Sequence, residues 1–242
     1  MATQRAVPST TQFNGFPQAT FDFYKDVAKH NDGAWFQANR QRYLDDVIAP
    51  AQAFVAAATP KLQKLSPGVS SSPDYSGKGS IKKIHTDQRY IKGRAPLKTW
   101  LDVMFWEGPL AAKKDNSAFY LRLDMQTLGL AVGVKMFQRP VLQAYRAALA
   151  DAKLGRELLG ITQKVAKQGF EVKGSELKQY PRGFDSSVPW ADLTLHDALY
   201  AWTSEPLPKE IHSAALVDHC VARWKAMAPL HSWLVHNVLA RL

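Results

Sequence analysis

The chain has 242 residues, 46% apolar and 21% charged, which excludes a collagen-like, low-complexity or disulfide-scaffold protein and matches an ordinary globular composition. Thirty-one Lys and Arg against 21 Asp and Glu leave a formal charge of +10, an excess that favours anionic partners such as phosphates, nucleic acid or acidic lipid. The single cysteine, Cys220, rules out an internal disulfide and a CxxC redox or zinc motif, and fits a reducing compartment.

The first twenty residues hold one Arg, two Pro and no apolar core, so no secretory signal is expected. The longest uncharged run, Val47–Pro60, contains two prolines and is shorter than the roughly 20 residues a spanning helix requires. A cytoplasmic protein without membrane partners is expected, with residues 1–12 as a disordered or extended leader and 13–242 as a single α+β domain. Along that domain, Phe16-Pro17 opens a first helix carrying Ala19, Phe23 and Val27 on one face and ending near His30. Asn31 is the expected N-cap of a second helix with Trp35, Phe36, Tyr43 and Val47. Pro50 kinks it or begins a third through Phe54, Leu62 and Leu65. The Ser-, Gly- and Pro-rich stretch Ser66–Ser80 reads as a loop.

The period then changes. Ile81–Ile91 is expected as a strand, Pro96–Trp106 as a short helix, and Ser117–Asp124 as a strand alternating Phe119, Leu121 and Leu123 against Tyr120, Arg122 and Asp124. Leu128–Lys135 continues with Leu128, Leu130, Val132 and Val134 on one face and Gly129, Ala131 and Gly133 on the other, a small-residue face that a second backbone could approach closely. From Pro140 onward the pattern is mostly helical: Val141–Ala150, Leu154–Gln168 and a long helix from Lys209 to Ala228 that Pro229 interrupts. Between them, Gly169–Pro189 reads as loop with at most short strands. The fold class is α+β: a small antiparallel sheet covered by helices, with helical N- and C-terminal parts.

The strongest chemical signal is a basic run. Between Lys78 and Lys98 seven cations stand against one acid, Asp87. A two-residue period places Lys83, His85, Asp87 and Arg89 on one strand face. Such a face is either a pocket floor, with Lys83 and Arg89 holding an oxyanion and Asp87 orienting Arg89 or acting as a base, or a solvated surface with an Asp87–Arg89 ion pair.

The run Lys83-Ile-His-Thr86-Asp87-Gln-Arg89-Tyr90, followed by Arg94-Ala-Pro96-Leu97-Lys98, resembles the signature of the bacterial family catalogued as domain of unknown function 2461. The similarity extends from about residue 13 to 240, through the aromatic N-terminal helices, Arg146, and Leu177-Lys178 with Pro181-Arg182-Gly183-Phe184-Asp185. It implies a shared α+β fold and a motif built around Asp87 and Arg89, with no established activity. Thr86 stands where the family pattern has an arginine, and Leu97 where it has a tyrosine.

Other chemistries find no support in the sequence. His231 and His236 lie on different helix faces, His212 and His219 share one, and no HExxH-like set is present. GxGxxG, GxxxxGK[ST] and GxSxG are absent. Cys220 reads as a half-buried small residue rather than a nucleophile. No metal or cofactor is called for. The expected site therefore consists of Asp87 as the candidate catalytic group, with Lys83, Arg89, Arg94, Lys98, Arg146, Lys178 and Arg182 as ligand-binding cations. Its leading function is binding, or acting on, a small anionic or phosphorylated ligand. The alternatives are a nucleic-acid-associated protein using the same basic surface non-specifically, and a structural or interaction module without a ligand.

Overall fold

A computed structural model of the chain describes residues 12–87, 93 and 95–242. Five strands form one antiparallel sheet: β1 (Leu101–Glu107), β2 (Ser117–Leu123), β3 (Thr127–Val134), β4 (Glu171–Ser175) and β5 (His196–Pro206), in the order β1-β2-β3-β5-β4. Alternation along each strand assigns its two faces. Leu101, Val103, Phe105, Phe119, Leu121, Leu130, Val132, Leu199 and Ala201 are all buried on one of them, where helices cover the sheet.

The N-terminal helices follow the aromatic spacing. α1 (Gln18–Lys29) buries Phe23 and Val27 and stops at His30. α2 (Gly33–Ala38) is capped by Asp32, whose side chain accepts from the Trp35 N–H at 2.8 Å, rather than by the expected Asn31. Asn31 instead ties the helical layer to a distant segment, its Nδ2 donating to the Leu97 carbonyl at 2.9 Å and its Oδ1 accepting from the Leu97 N–H at 2.8 Å. A short α3 (Arg40–Arg42) and a π-helical stretch Tyr43–Ile48 lead into α4 (Ala49–Gln63), with Pro50 in its first turn where no intrahelical N–H is needed. After β3 come α5 (Arg139–Ala150) and α6 (Ala152–Lys167), the latter capped by the Asp151 side chain.

α7 (Leu216–Asn237) runs straight through Pro229, correcting the expected break there, while Lys209–His212 forms a separate 3-10 turn. An internal proline costs a helix about 3 kcal/mol. Trp224, Met227, Leu230, Trp233 and Leu234 are all buried on both sides of it, and burying each large apolar side chain returns roughly 1.5–3 kcal/mol. Trp224 lies at the junction of layers, its ring 5.7 Å from Phe105, 6.2 Å from Phe119 and 6.5 Å from Phe54 of α4.

Three further expectations are corrected. Ile81–Ile91 is not a strand over its described part: Ile81 and His85 make isolated bridges to Val103 and Leu97. Ser80–Lys82 runs along the outer edge of β1, with Met104 N–H to Ser80 O at 2.9 Å and Lys82 N–H to Asp102 O at 2.9 Å. The chain then forms a short ribbon in which Thr86 N–H bonds Pro96 O and Lys98 N–H bonds Ile84 O. Second, the end of the expected helix Pro96–Trp106 is β1. Apolar residues on both of its faces masked the two-residue period, and pairing to β2, Phe105 opposite Phe119 and Asp102 opposite Arg122, decides it. Third, β5 arises where no strand was expected, because Tyr200 and Trp202 make its second face apolar too.

Candidate functional site

The other face of the sheet, which no helix covers among the described residues, holds a cavity of about 480 Å3. Register builds it row by row. Lys82, Asp102, Arg122 and Gly129 lie side by side across the edge segment and the first three strands, and Met104, Tyr120, Ala131 and Trp202 form the next row. Ala118, Gly133, Tyr200 and Lys173 form the third. The small-residue face Gly129/Ala131/Gly133 is thus part of the site floor. What crosses it is a side chain rather than a backbone: a Cβ at Gly129 would lie 2.3 Å from the Trp202 indole.

Asp102 anchors the cationic end. It is 5% exposed and accepts from Arg122 Nε at 2.8 Å, Arg122 Nη2 at 3.3 Å, Trp100 Nε1 at 3.0 Å and Lys98 Nζ at 3.4 Å. Burial pushes its carboxyl upward, but the Arg122 hydrogen bond and charge, with help from Tyr120 and Lys98, outweigh it and hold the group below the usual carboxylate range. Arg122 also donates to the Tyr120 hydroxyl at 3.0 Å and lies 4.8 Å from the Trp100 ring centre. Burial, together with the neighbouring carboxylate charge, drives the Tyr120 hydroxyl well above its ordinary value, so it stays protonated.

Lys82 is half-buried and forms no side-chain hydrogen bond or ion pair among the described residues. Burial is the main cause of its lowered pKa; Asp102 opposes that, and the charges of Lys98 and Lys114 reinforce it. Nearby Lys113, over the Trp106 ring at 5.4 Å and bonded to the Gly79 carbonyl, is brought down to about 8 by burial and by Lys82. Lys114, Lys135 and Lys173 complete a wall in which six cations face one carboxylate.

Of the residues singled out in the sequence, Lys98 lines this cavity. Lys83 is exposed and lines a smaller hollow of about 250 Å3 with Arg40, Tyr43, Tyr75 and His85. Asp87 is exposed on the ribbon, and Arg89 and Arg94 lie outside the described residues. Arg146 is half-buried on α5 with its Nε lacking a partner among the described residues, and Lys178 and Arg182 are exposed after β4. None of Lys83, Asp87, Arg146, Lys178 and Arg182 lines the large cavity.

Sequence reasoning missed Lys82, Trp100, Asp102, Tyr200 and Trp202 as site residues. A signal existed on β2, where the alternation put Tyr120 and Arg122 on the face opposite the apolar one. Asp102 and Trp100 were hidden in the supposed helix.

A second constellation has the outline of a hydroxyl–imidazole–carboxylate relay: Ser117 Oγ is 2.8 Å from His231 Nδ1, and His231 Nε2 is 2.9 Å from Glu107 Oε2. Ser117 is 0% and His231 1% exposed, pressed between β2 and α7 with the Phe119 ring 4.5 Å away. No substrate reaches that hydroxyl, and the network satisfies buried polar groups at the sheet–helix junction.

An antiparallel sheet with helices on one face and a cation-lined hollow on the other defines an α+β protein with an open-face pocket. The chain matches the family model described as conserved hypothetical protein (DUF2461) over residues 19–233, and it belongs to that family. No curated protein matches it. Among the described residues no helix is long and apolar enough to cross a membrane.

Proposed function

We propose that the chain binds a small anionic ligand, with a phosphate group as its simplest form, in the open-face cavity. The observation that carries this reading is Lys82: a half-buried ammonium without a bonded counter-ion among the described residues, set beside Lys98 and Lys114. The one carboxylate in the wall is already engaged by Arg122 and Lys98. A bound anion supplies the missing counter-charge where partial burial strengthens it. His85 and Leu97 bridge the ribbon that carries both Asp87 and Lys98, which supports Lys98 in the cavity wall, while Asp87 does not line the cavity. The buried free thiol of Cys220 supports a reducing, cytoplasmic setting.

Isothermal titration with inorganic phosphate and pyrophosphate tests the reading. Binding is expected, and Lys82→Gln should weaken it by about tenfold or more, the scale of one charge-assisted hydrogen bond. Because an anion restores the lowered Lys82 pKa upward, binding at alkaline pH should take up protons, seen as heats that vary with buffer ionisation. No binding of either anion at millimolar concentration, or equal affinity in Lys82→Gln, would overturn it.

A further inference from the structure

We infer that the ligand is a nucleoside phosphate, its phosphates among Lys82, Lys98 and Lys114 and its base against Trp202 and Tyr200. This rests on the anion-binding reading and adds the chemistry of the other end of the cavity. Lys82, Lys98 and Lys114 gather at the β1 side, while Tyr200 and Trp202 stand on β5, with Lys173 of β4 beside Tyr200 and the Trp202 indole reaching over Gly129 of β3. Two inter-strand spacings to the indole over β3 and three to Tyr200 amount to about 10–14 Å, a length comparable to an extended nucleoside diphosphate.

The floor between the two ends holds a low strip beside the Tyr120 and Arg122 side chains of β2. Ala118, Ala131 and Gly133 present nothing beyond a Cβ, and Gly133 is held at φ +134° with its Cα against the β5 backbone. Trp202 and Tyr200 are each half exposed, and neither ring is paired with another aromatic ring among the described residues. Half-exposed ring faces beside a cationic wall offer the two things that a nucleotide needs, a stacking surface and phosphate partners. Inorganic phosphate would leave the aromatic end unused, and a sugar phosphate has no planar ring to place there. A cavity of about 480 Å3 falls within the range of small-molecule sites.

The experiment is a titration panel on the full chain: pyrophosphate, ribose 5-phosphate, the four common ribonucleoside diphosphates, and a single-stranded oligonucleotide. At least one diphosphate should bind about tenfold tighter than pyrophosphate and ribose 5-phosphate. Trp202→Leu and Ala131→Leu should each collapse that ratio, the first by removing the stacking face and the second by raising the floor. If Trp202→Leu does not fold, Ala131→Leu, at a residue that lines the cavity, carries the test alone. Pyrophosphate binding that responds to Lys82→Gln, with no diphosphate tighter, would overturn this inference and leave the anion-binding reading standing. An absence of all binding overturns both. A diphosphate-to-pyrophosphate ratio that survives in the folded variants overturns the placement of the base, and an oligonucleotide that outcompetes every diphosphate overturns the small-ligand assignment.

Discussion

Asp102 and Lys82 sit next to each other in one cross-strand row and respond to pH in opposite ways. The folded-state pKa of Asp102 is depressed, so its ion pair stabilises the fold fully above the unfolded carboxyl value of 3.8 and is lost as pH falls through the lower folded value. Asp102→Asn should therefore cost stability at neutral pH. A buried pair that loses one partner costs about 3–5 kcal/mol. With the Arg122 side chain 33% exposed, the expected loss is about 1–3 kcal/mol, and it should shrink in denaturation curves as pH falls below the ordinary carboxyl value of 3.8 toward the lower folded value. Lys82 is the reverse case. Its folded-state pKa is lowered below 10.5, so the unfolded chain binds the proton more tightly and the charged amine destabilises the fold at neutral pH, an effect that fades as pH rises through the folded value. Lys82→Met should raise the melting temperature at pH 7 while abolishing anion binding; a lower melting temperature would show that the amine supports the fold. The basic run pointed to this neighbourhood, yet a regular strand would have turned Lys83 inward. Only the pairing of Ser80–Lys82 with β1, which sets Lys82 beside Asp102, settles which lysine faces the cavity.

At the scale of elements, the site depends on how the irregular segment before β1 is held. Asn31 clamps the backbone of Leu97, immediately before Lys98, through two hydrogen bonds. Asn31→Ala should destabilise by about 1–3 kcal/mol, the cost of leaving such groups unpaired, and should speed proteolytic cleavage near Leu97 and weaken phosphate binding through the displaced Lys98. Unchanged cleavage and affinity would remove the clamp from the account. β3 imposes a stricter limit. A Cβ at Gly133 would come within 2.2 Å of the Leu199 carbonyl in a backbone at φ +134°, so Gly133→Ala should cost more than Gly129→Ala, where the obstruction is the Trp202 side chain and the indole can move. Equilibrium denaturation of the two variants ranks them. β2 and β3 were readable because each has one decidedly apolar face. β1 and β5 were not, since a strand with apolar side chains on both faces carries no two-residue alternation, and pairing with neighbours far along the chain decides its form.

For the whole molecule, a ligand that binds only the folded state stabilises it by about 2.7 kcal/mol at a hundredfold excess over Kd, which for a chain of this size corresponds to roughly 5–10 °C in melting temperature. The best anion of the titration panel should produce that shift in the parent protein and about half of it or less in Lys82→Gln, whose affinity is about tenfold or more lower. If the +10 charge instead serves nucleic acid, binding to duplex or single strands should fall steeply between low and physiological salt as counterions are released, and a shallow dependence speaks against that use. The sequence by itself determined the α+β class, β2 and β3, most of the helices and the basic run, because these follow from local periodicity and composition, and its motif resemblance pointed to the family. The tertiary structure alone decided where the site lies. Asp102, Arg122, Trp202 and Lys82 come from four separate segments, and which of their side chains share a face depends on strand register and on a single irregular turn, both fixed by packing and hydrogen bonds between residues distant in the chain.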